Sequence, residues 1–294
     1  MYAVIGANGY LGSYMIKHIL ASTNEKVLAV ARHVGVSDNE RVCWAACDIT
    51  NPGDVEELTR VHFLGKKDHK IIYLAAYHHP DLVAKNPRLA WDTNVTALSR
   101  FLNMVEDVKC LFYPSSDSVY GESFDDHRFT EEDGLNPVNR YGRHKCVAET
   151  LVTAYGYNVV RFPFLIAPSI VPGKKHFYDA IAETIQQGKV MEMFADSYRS
   201  ALSFDTAAQL TVRLMESYRE EYPKILNVCG DDALSKYDVG LMIADKLGFS
   251  RDLIKPISVN DTSGIFEAKR ASSTLMDNGL LKQTLGLDEV KLVL

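Results

Sequence analysis

Positive charge is in short supply: 32 Lys and Arg against 38 Asp and Glu leave a formal net charge of −6 over 294 residues. No general basic field is present to gather nucleic acid, so no nucleic-acid partner is expected. Cysteine is sparse, five residues at 43, 47, 110, 146 and 229 with no Cys-x-x-Cys pair. An odd, scattered set argues for free thiols in a reducing compartment and against a disulfide framework. No His, Cys or Asp spacing resembles a metal site, and no metal is expected. No apolar stretch approaches the length of a bilayer span, which speaks against a membrane partner. Met1 to Ile5 reads as a core strand and not as a charged, cleavable leader, making the cytoplasm the expected location. Repeats, low-complexity tracts and long linkers are missing too.

What is present is ordinary globular material, 47% apolar and 24% charged residues. The length suffices for one large α/β domain with an appendage, or for two modest domains. Short apolar runs at Tyr2–Ile5, Lys26–Ala31, Val42–Ala45, Ile71–Ala75, Cys110–Pro114 and Asn158–Phe162 alternate with helical patterns. Runs without polar alternation suit strands buried on both faces. Segments 10–21, 52–63, 87–107 and 137–155 carry helical periodicity with polar outer faces. Asn51 before Pro52 marks one helix start. This order predicts an α/β fold, a doubly wound parallel Rossmann sheet with ligands at the carboxyl ends of its strands. After Phe162 the run of Pro163, Pro168, Pro172 and Gly173 breaks the pattern. The expected division is residues 1–162 plus about 203–224 for a dinucleotide-binding domain, and about 163–202 plus 225–294 for a smaller, mostly C-terminal α/β substrate lobe.

Directly after the first strand comes Gly6-Ala7-Asn8-Gly9-Tyr10-Leu11-Gly12, followed at once by a helical pattern. Strand, tight glycine turn and helix offer a dinucleotide diphosphate a row of backbone N–H groups. Gly6, Asn8, Gly9, Tyr10, Leu11 and Gly12 are therefore candidate cofactor contacts. The Gly-x-x-Gly-x-x-Gly spacing is one residue longer in its first interval than the commonest form. NAD-selective sites carry a carboxylate about 20 residues on, but here the second strand ends Val30-Ala31-Arg32-His33. Arg32 suits a 2′-phosphate, so NADP(H) is favoured over NAD(H). Asp48 and Ile49, after the third strand, are further cofactor candidates, Asp48 as an acceptor for the adenine amino group. A turn cap is its plainer role.

Phe112 to Gly121 contains Ser116 at the end of a predicted strand, and Tyr141-Gly142-Arg143-His144-Lys145 lies in a predicted helix. Positions i and i+4 share a helix face, so the Tyr141 hydroxyl and Lys145 ammonium are expected to converge. A nearby cation lowers a phenol's pKa, and Ser116 is placed to hydrogen-bond a substrate oxygen while Tyr141 moves its proton. With 15 tyrosines about one Tyr-x-x-x-Lys match arises by chance. Its coincidence with an upstream serine and a glycine turn is what carries weight.

With these residues the chain resembles the extended short-chain dehydrogenase/reductase superfamily over almost its full length. That resemblance implies cofactor-lining roles for Leu74, Ala75 and Ala76, a bracing asparagine at Asn94, and cofactor contacts for Tyr141 and Lys145. Arg161-Phe162-Pro163, Arg199 with Asp205, and Asn227-Val228-Cys229-Gly230 look like later motifs of the superfamily. Arg270 to Leu275 and Asp277-Asn278 are similar to the tail of dTDP-4-dehydrorhamnose reductases, although alanine follows Arg270 where proline is usual. Dehydratase relatives carry a glutamate, and some epimerases a cysteine, at the position of Ser118; neither chemistry is implied here. The resemblance points to NADP(H)-dependent reduction of a keto group on a nucleotide-activated deoxysugar, with Ser116, Tyr141 and Lys145 catalytic. A nucleotide-sugar C4 epimerase is the second reading. A cofactor-binding regulatory subunit, like the methionine adenosyltransferase β-subunit, is the third. His78, Asp117, Ser118, Lys174, Arg199 and Arg270 are candidate substrate contacts, the basic ones for a diphosphate. A homodimer through the helix of Tyr141 and the one before it is possible on the same grounds.

Overall fold

In a computed structural model of the chain, residues 1–105, 108–124, 126–259 and 266–294 are described. The apolar runs become β1 (Tyr2–Ile5), β2 (Val27–Ala31), β3 (Val42–Ala46), β4 (Lys70–Tyr73), β5 (Cys110–Ser116) and β6 (Asn158–Phe162). With β9 (Ile225–Asn227) they form one sheet in the order β3-β2-β1-β4-β5-β6-β9, each neighbouring pair parallel. The order reverses between β1 and β4, which opens a crevice at their carboxyl ends. β1, β2 and β4 are buried throughout because helices cover both faces, hence their unbroken apolar sequences.

On one face α1 (Tyr10–Ser22) and α8 (Phe204–Glu216) pack through Tyr14, Met15, Ile19, Ala207 and Leu210. On the other, α2 (Pro52–His62), α5 (Ala97–Met104) and α6 (Arg140–Ala154) contribute Val55, Leu58, Phe101, Leu102, Ala148 and Val152. Asn51 caps α2 as its sequence indicates, its side chain accepting from the Gly53 N–H at 2.9 Å.

The lobe has its own core, built from α7 (Phe177–Gln186), α9 (Lys236–Leu247), β7 (Met191–Phe194) and β11 (Ile254–Ile257). β7 pairs with β11, and β8 (Tyr198–Arg199) lies between β10 (Leu234–Ser235) and β12 (Ser273–Thr274). Two boundaries differ from the sequence pattern. β9 continues the main sheet past residue 224, and Leu281 of α10 (Gly279–Leu285) and Val290 join the core beside α1 and α8. The helical run from residue 87 is α4 (Pro87–Trp91), a π-helical turn Asp92–Thr96 and then α5, preceded by an unforeseen α3 (Pro80–Lys85). Pro80 and Pro87 each start a helix, because proline's missing N–H costs nothing at that position.

Candidate active site

The cradle starts at Gly6, whose φ of +94° only glycine adopts freely, and where a Cβ would sit 2.9 Å from the Ala75 nitrogen. At Gly12 a Cβ would meet the carbonyl oxygens of Gly6 at 2.5 Å and Ala7 at 2.8 Å, so helix and turn pack backbone on backbone. α1 starts from Gly9 with no side-chain cap and no acidic residue in its first turn, leaving early amides available to an anion. These features fit a dinucleotide diphosphate. Gly12→Ala forces turn or helix to move, at a cost of about 1–3 kcal/mol. The expected result is loss of dinucleotide-dependent thermal stabilisation; a melting shift equal to wild type would show that the close packing is dispensable.

Across the crevice β5 ends at Ser116, which caps the 3₁₀ turn Asp117–Val119 by accepting from the Ser118 N–H at 3.2 Å. Ser116 Oγ lies 2.9 Å from Asp117 Oδ1 and 3.2 Å from Ser118 Oγ. Asn139 caps α6 by accepting from the Gly142 N–H at 2.9 Å. Gly142 lets the helix press on the Ser118 carbonyl, where any Cβ would collide. That approach sets Tyr141 beside Ser116, whose hydroxyl lowers the phenol's pKa. One turn along, Lys145 donates to Tyr113 Oη at 2.9 Å and to the Pro114 carbonyl at 2.6 Å. Its ammonium is 5.9 Å from the Tyr141 ring centre.

The electrostatics depart from the simple phenol-and-ammonium expectation. Burial and the Asp117 carboxylate push the Tyr141 phenol above its usual range, and only the Ser116 hydrogen bond pulls it down. Burial draws Lys145 down to about 7. Two of its N–H groups go to Tyr113 and Pro114, and the phenol answers to burial, Asp117 and Ser116 rather than to this ammonium.

One cleft of about 550 Å³ runs from the glycine turn to the lobe and contains Ser116, Tyr141 and Lys145. Gly6, Gly9, Tyr10, Leu11, Gly12, Leu74 and Ala76 line its cofactor end; His78, Asp117, Ser118, Lys174, Arg199 and Arg270 also line it. Asn8, Arg32, Asp48, Ile49, Ala75 and Asn94 lie off its walls. Asn94 sits in the π turn and pins the Tyr77 backbone, accepting from its N–H at 2.7 Å and donating to its carbonyl at 3.0 Å. Asp48 Oδ1 accepts from the Thr50 N–H at 2.9 Å and hydroxyl at 2.7 Å, as a turn cap does. Those bonds, helped by Arg32, hold Asp48 below the usual carboxylate range. Ile49 is buried in the core beneath α2 and α5, and Arg32 is exposed at the end of β2.

The basic candidates have varied partners. Lys174 Nζ donates to the Asn8 carbonyl at 2.8 Å, beside the glycine turn, and Tyr10 Oη donates to the Lys175 carbonyl at 2.5 Å. Arg199 reaches Asp117 at 3.3 Å and the carbonyls of Tyr198, Ala271 and Ser272. Arg270 pairs with Asp81 at 3.0 Å. Burial, His79 and Lys145 keep His78 below the usual histidine range, and burial takes His176 to about 4. Two features escape a reading of motifs: Tyr113, buried in the core, as the anchor of Lys145, and Lys236 in the cleft with its ring of phenylalanines. Among the described residues no group of three or more His, Cys, Asp or Glu is placed to hold a metal, and no helix is long and apolar enough to cross a membrane.

A parallel sheet of this order, a glycine turn at its switch point and a Ser–Tyr–Lys set across the crevice define the extended short-chain dehydrogenase/reductase class, nicotinamide-dependent oxidoreductases. Within that class, residues 2–291 match the family described as RmlD substrate binding domain, and the chain belongs to it. A solved dTDP-4-dehydrorhamnose reductase from Bacillus anthracis, in complex with NADP, superposes with a TM-score of 0.80 at 18% identity, covering 99% of this chain and 94% of that one. Among curated proteins, a UDP-glucose 4-epimerase from Lactobacillus helveticus is 28% identical over 153 residues, 51% of this chain and 45% of the epimerase. The methionine adenosyltransferase 2 subunit beta of Bos taurus is 28% identical over 232 residues, 75% of this chain and 66% of that subunit. The matched region thus spans less than two thirds of the length of either relative.

Proposed function

We propose that this chain reduces the keto group of a nucleotide-activated deoxysugar with NADP(H), in the cytoplasm. The observation that carries the reading is the meeting of Ser116, Tyr141 and Lys145 in a cleft that begins at the glycine turn and ends in the lobe. The bound dinucleotide supplies the hydride. Ser116 polarises the substrate carbonyl, and Tyr141 delivers a proton to its oxygen. Lys145, fixed by Tyr113 and Pro114, gives the pocket the positive charge that favours a developing alkoxide. A phenol pushed above its usual range stays protonated near neutral pH, which suits a proton donor. A complete Ser–Tyr–Lys set argues against a purely regulatory subunit.

Consumption of NADPH on adding a nucleotide-linked 4-keto sugar is the direct test. Activity that survives exhaustive removal of free cofactor would favour the epimerase, and a stoichiometric protein partner with no ketone reduction would favour the regulatory subunit. The preference for NADP(H) rests on Arg32, exposed at the end of β2 with no carboxylate in the strand's last residues. A charge-assisted hydrogen bond contributes about 1.5–3 kcal/mol, so Arg32→Ala is expected to weaken NADPH about ten- to hundredfold and NADH hardly at all. Equal losses in fluorescence titrations of the two dinucleotides would remove the 2′-phosphate role. A homodimer through α5 and α6 belongs to the same reading and is checked by sedimentation.

A further inference from the structure

Five lysines and arginines line the cleft, and they differ in what they already hold. Lys145, Lys174, Arg199 and Arg270 each donate to carbonyls, hydroxyls or carboxylates of the protein. Among the described residues, Lys236 alone of the five has no hydrogen-bond acceptor or carboxylate for its ammonium. Its neighbours are ring faces: the centres of Phe177, Phe194 and Phe164 lie 5.4, 5.8 and 5.9 Å from Nζ. Arg199 from β8 and Arg270 from the segment before β12 face it with like charge, while Asp117 and Asp81 are paired to those arginines. Lys236 is also the first residue of α9, capped by Ser235 and Asp238, where the helix dipole opposes a cation. Three aromatic faces stabilise the charge in part; an anion in the cleft would complete the arrangement. The wall continues through Phe266, 5.8 Å from Phe194 and 5.0 Å below the Arg270 guanidinium. Rings alternating with cations match a base joined to phosphates.

We propose that Lys236 takes the diphosphate of the substrate, and that through it the cleft selects nucleotide-linked sugars over free ones. The assignment rests on the nucleotide-sugar reading above, and it adds to Arg199 and Arg270, each already paired with a carboxylate, a cation that has none. Burial and the two arginines draw Lys236 down to about 8, so the free site loses its ammonium as pH rises through that value and binds an anion more weakly there.

The test is calorimetric titration of the full chain with uridine or thymidine diphosphate, and separately with NADPH. Loss of a charge-assisted contact predicts about a tenfold or greater weakening of the nucleoside diphosphate in Lys236→Met, with NADPH unchanged. Lys236→Arg, whose guanidinium does not titrate in this range, is expected to keep the affinity and lose the alkaline fall. Wild-type affinity for the nucleoside diphosphate in Lys236→Met overturns the assignment. Should that variant fail to fold, as absent NADPH binding would reveal, an unchanged alkaline fall in Lys236→Arg overturns it instead. If the wild-type chain binds NADPH and neither diphosphate, the nucleotide-sugar reading itself fails, and this assignment with it.

Discussion

Tyr141→Phe is expected to cut the rate of ketone reduction by about 10²–10⁴-fold, the usual contribution of a positioned general acid, while NADPH affinity stays near wild type. The ring stays, so the packing of Tyr141 on Val83 and Ala90 survives and only the proton is removed. Ser116 keeps its partners Asp117 and Ser118 when the phenol oxygen is removed. The pH profile gives an independent check with a definite sign. Tyr141 is shifted upward, so it remains a donor through neutral and mildly alkaline pH. Lys145 is shifted down to about 7, so its ammonium is present below that pH and lost as pH rises through it. Reduction is therefore expected to decline on the alkaline side through loss of Lys145 charge, and Lys145→Met is expected to flatten that limb along with slowing the reaction. Undiminished turnover in Tyr141→Phe, with single-turnover kinetics to separate chemistry from release, would remove the phenol from the mechanism.

The parts of this site that depend on local geometry were legible in the residues. A glycine turn between an apolar run and a helical pattern needs only its own backbone to declare itself, and Tyr141 and Lys145 share a face because α6 has 3.6 residues per turn. Strands buried on both faces announce themselves by unbroken apolar runs, as β1, β2 and β4 do. What was not legible depends on partners far along the chain. Lys145 is held by Tyr113, 32 residues away, and Arg199 is spent on carbonyls some 70 residues on. Desolvation of Tyr141 and Lys145 is a property of the folded surroundings, and it reverses the direction that the pair alone suggests. Lys236 follows no catalytic motif; its phenylalanines come from three separate segments, Phe164 after β6, Phe177 of α7 and Phe194 of β7, which meet only in the folded lobe.

Arg161→Met is expected to cost about 3–5 kcal/mol of stability, the price of leaving a buried carboxylate without its cation. Arg161 lies wholly inside the protein, with Nε 3.0 Å and Nη2 2.7 Å from the two oxygens of Glu149. Nη1 donates to Tyr120 Oη at 2.6 Å, and that hydroxyl donates onward to Asn227 Oδ1 at 2.7 Å. The chain of contacts ties β6 to α6, to the turn after Ser116 and to β9. Each kcal/mol lowers the melting midpoint of a chain this size by roughly 2–4 °C, so a fall on the order of 10 °C is expected in a thermal melt. Adding Glu149→Leu removes the stranded charge and should restore much of the loss, since the interaction of two such neighbours is not additive. A single variant within about 1 kcal/mol of wild type would mean that water or a shifted neighbour already satisfies Glu149. A double variant that regains stability yet reduces ketone slowly would assign the ion pair to positioning: it fixes α6, and therefore Tyr141, against Ser116.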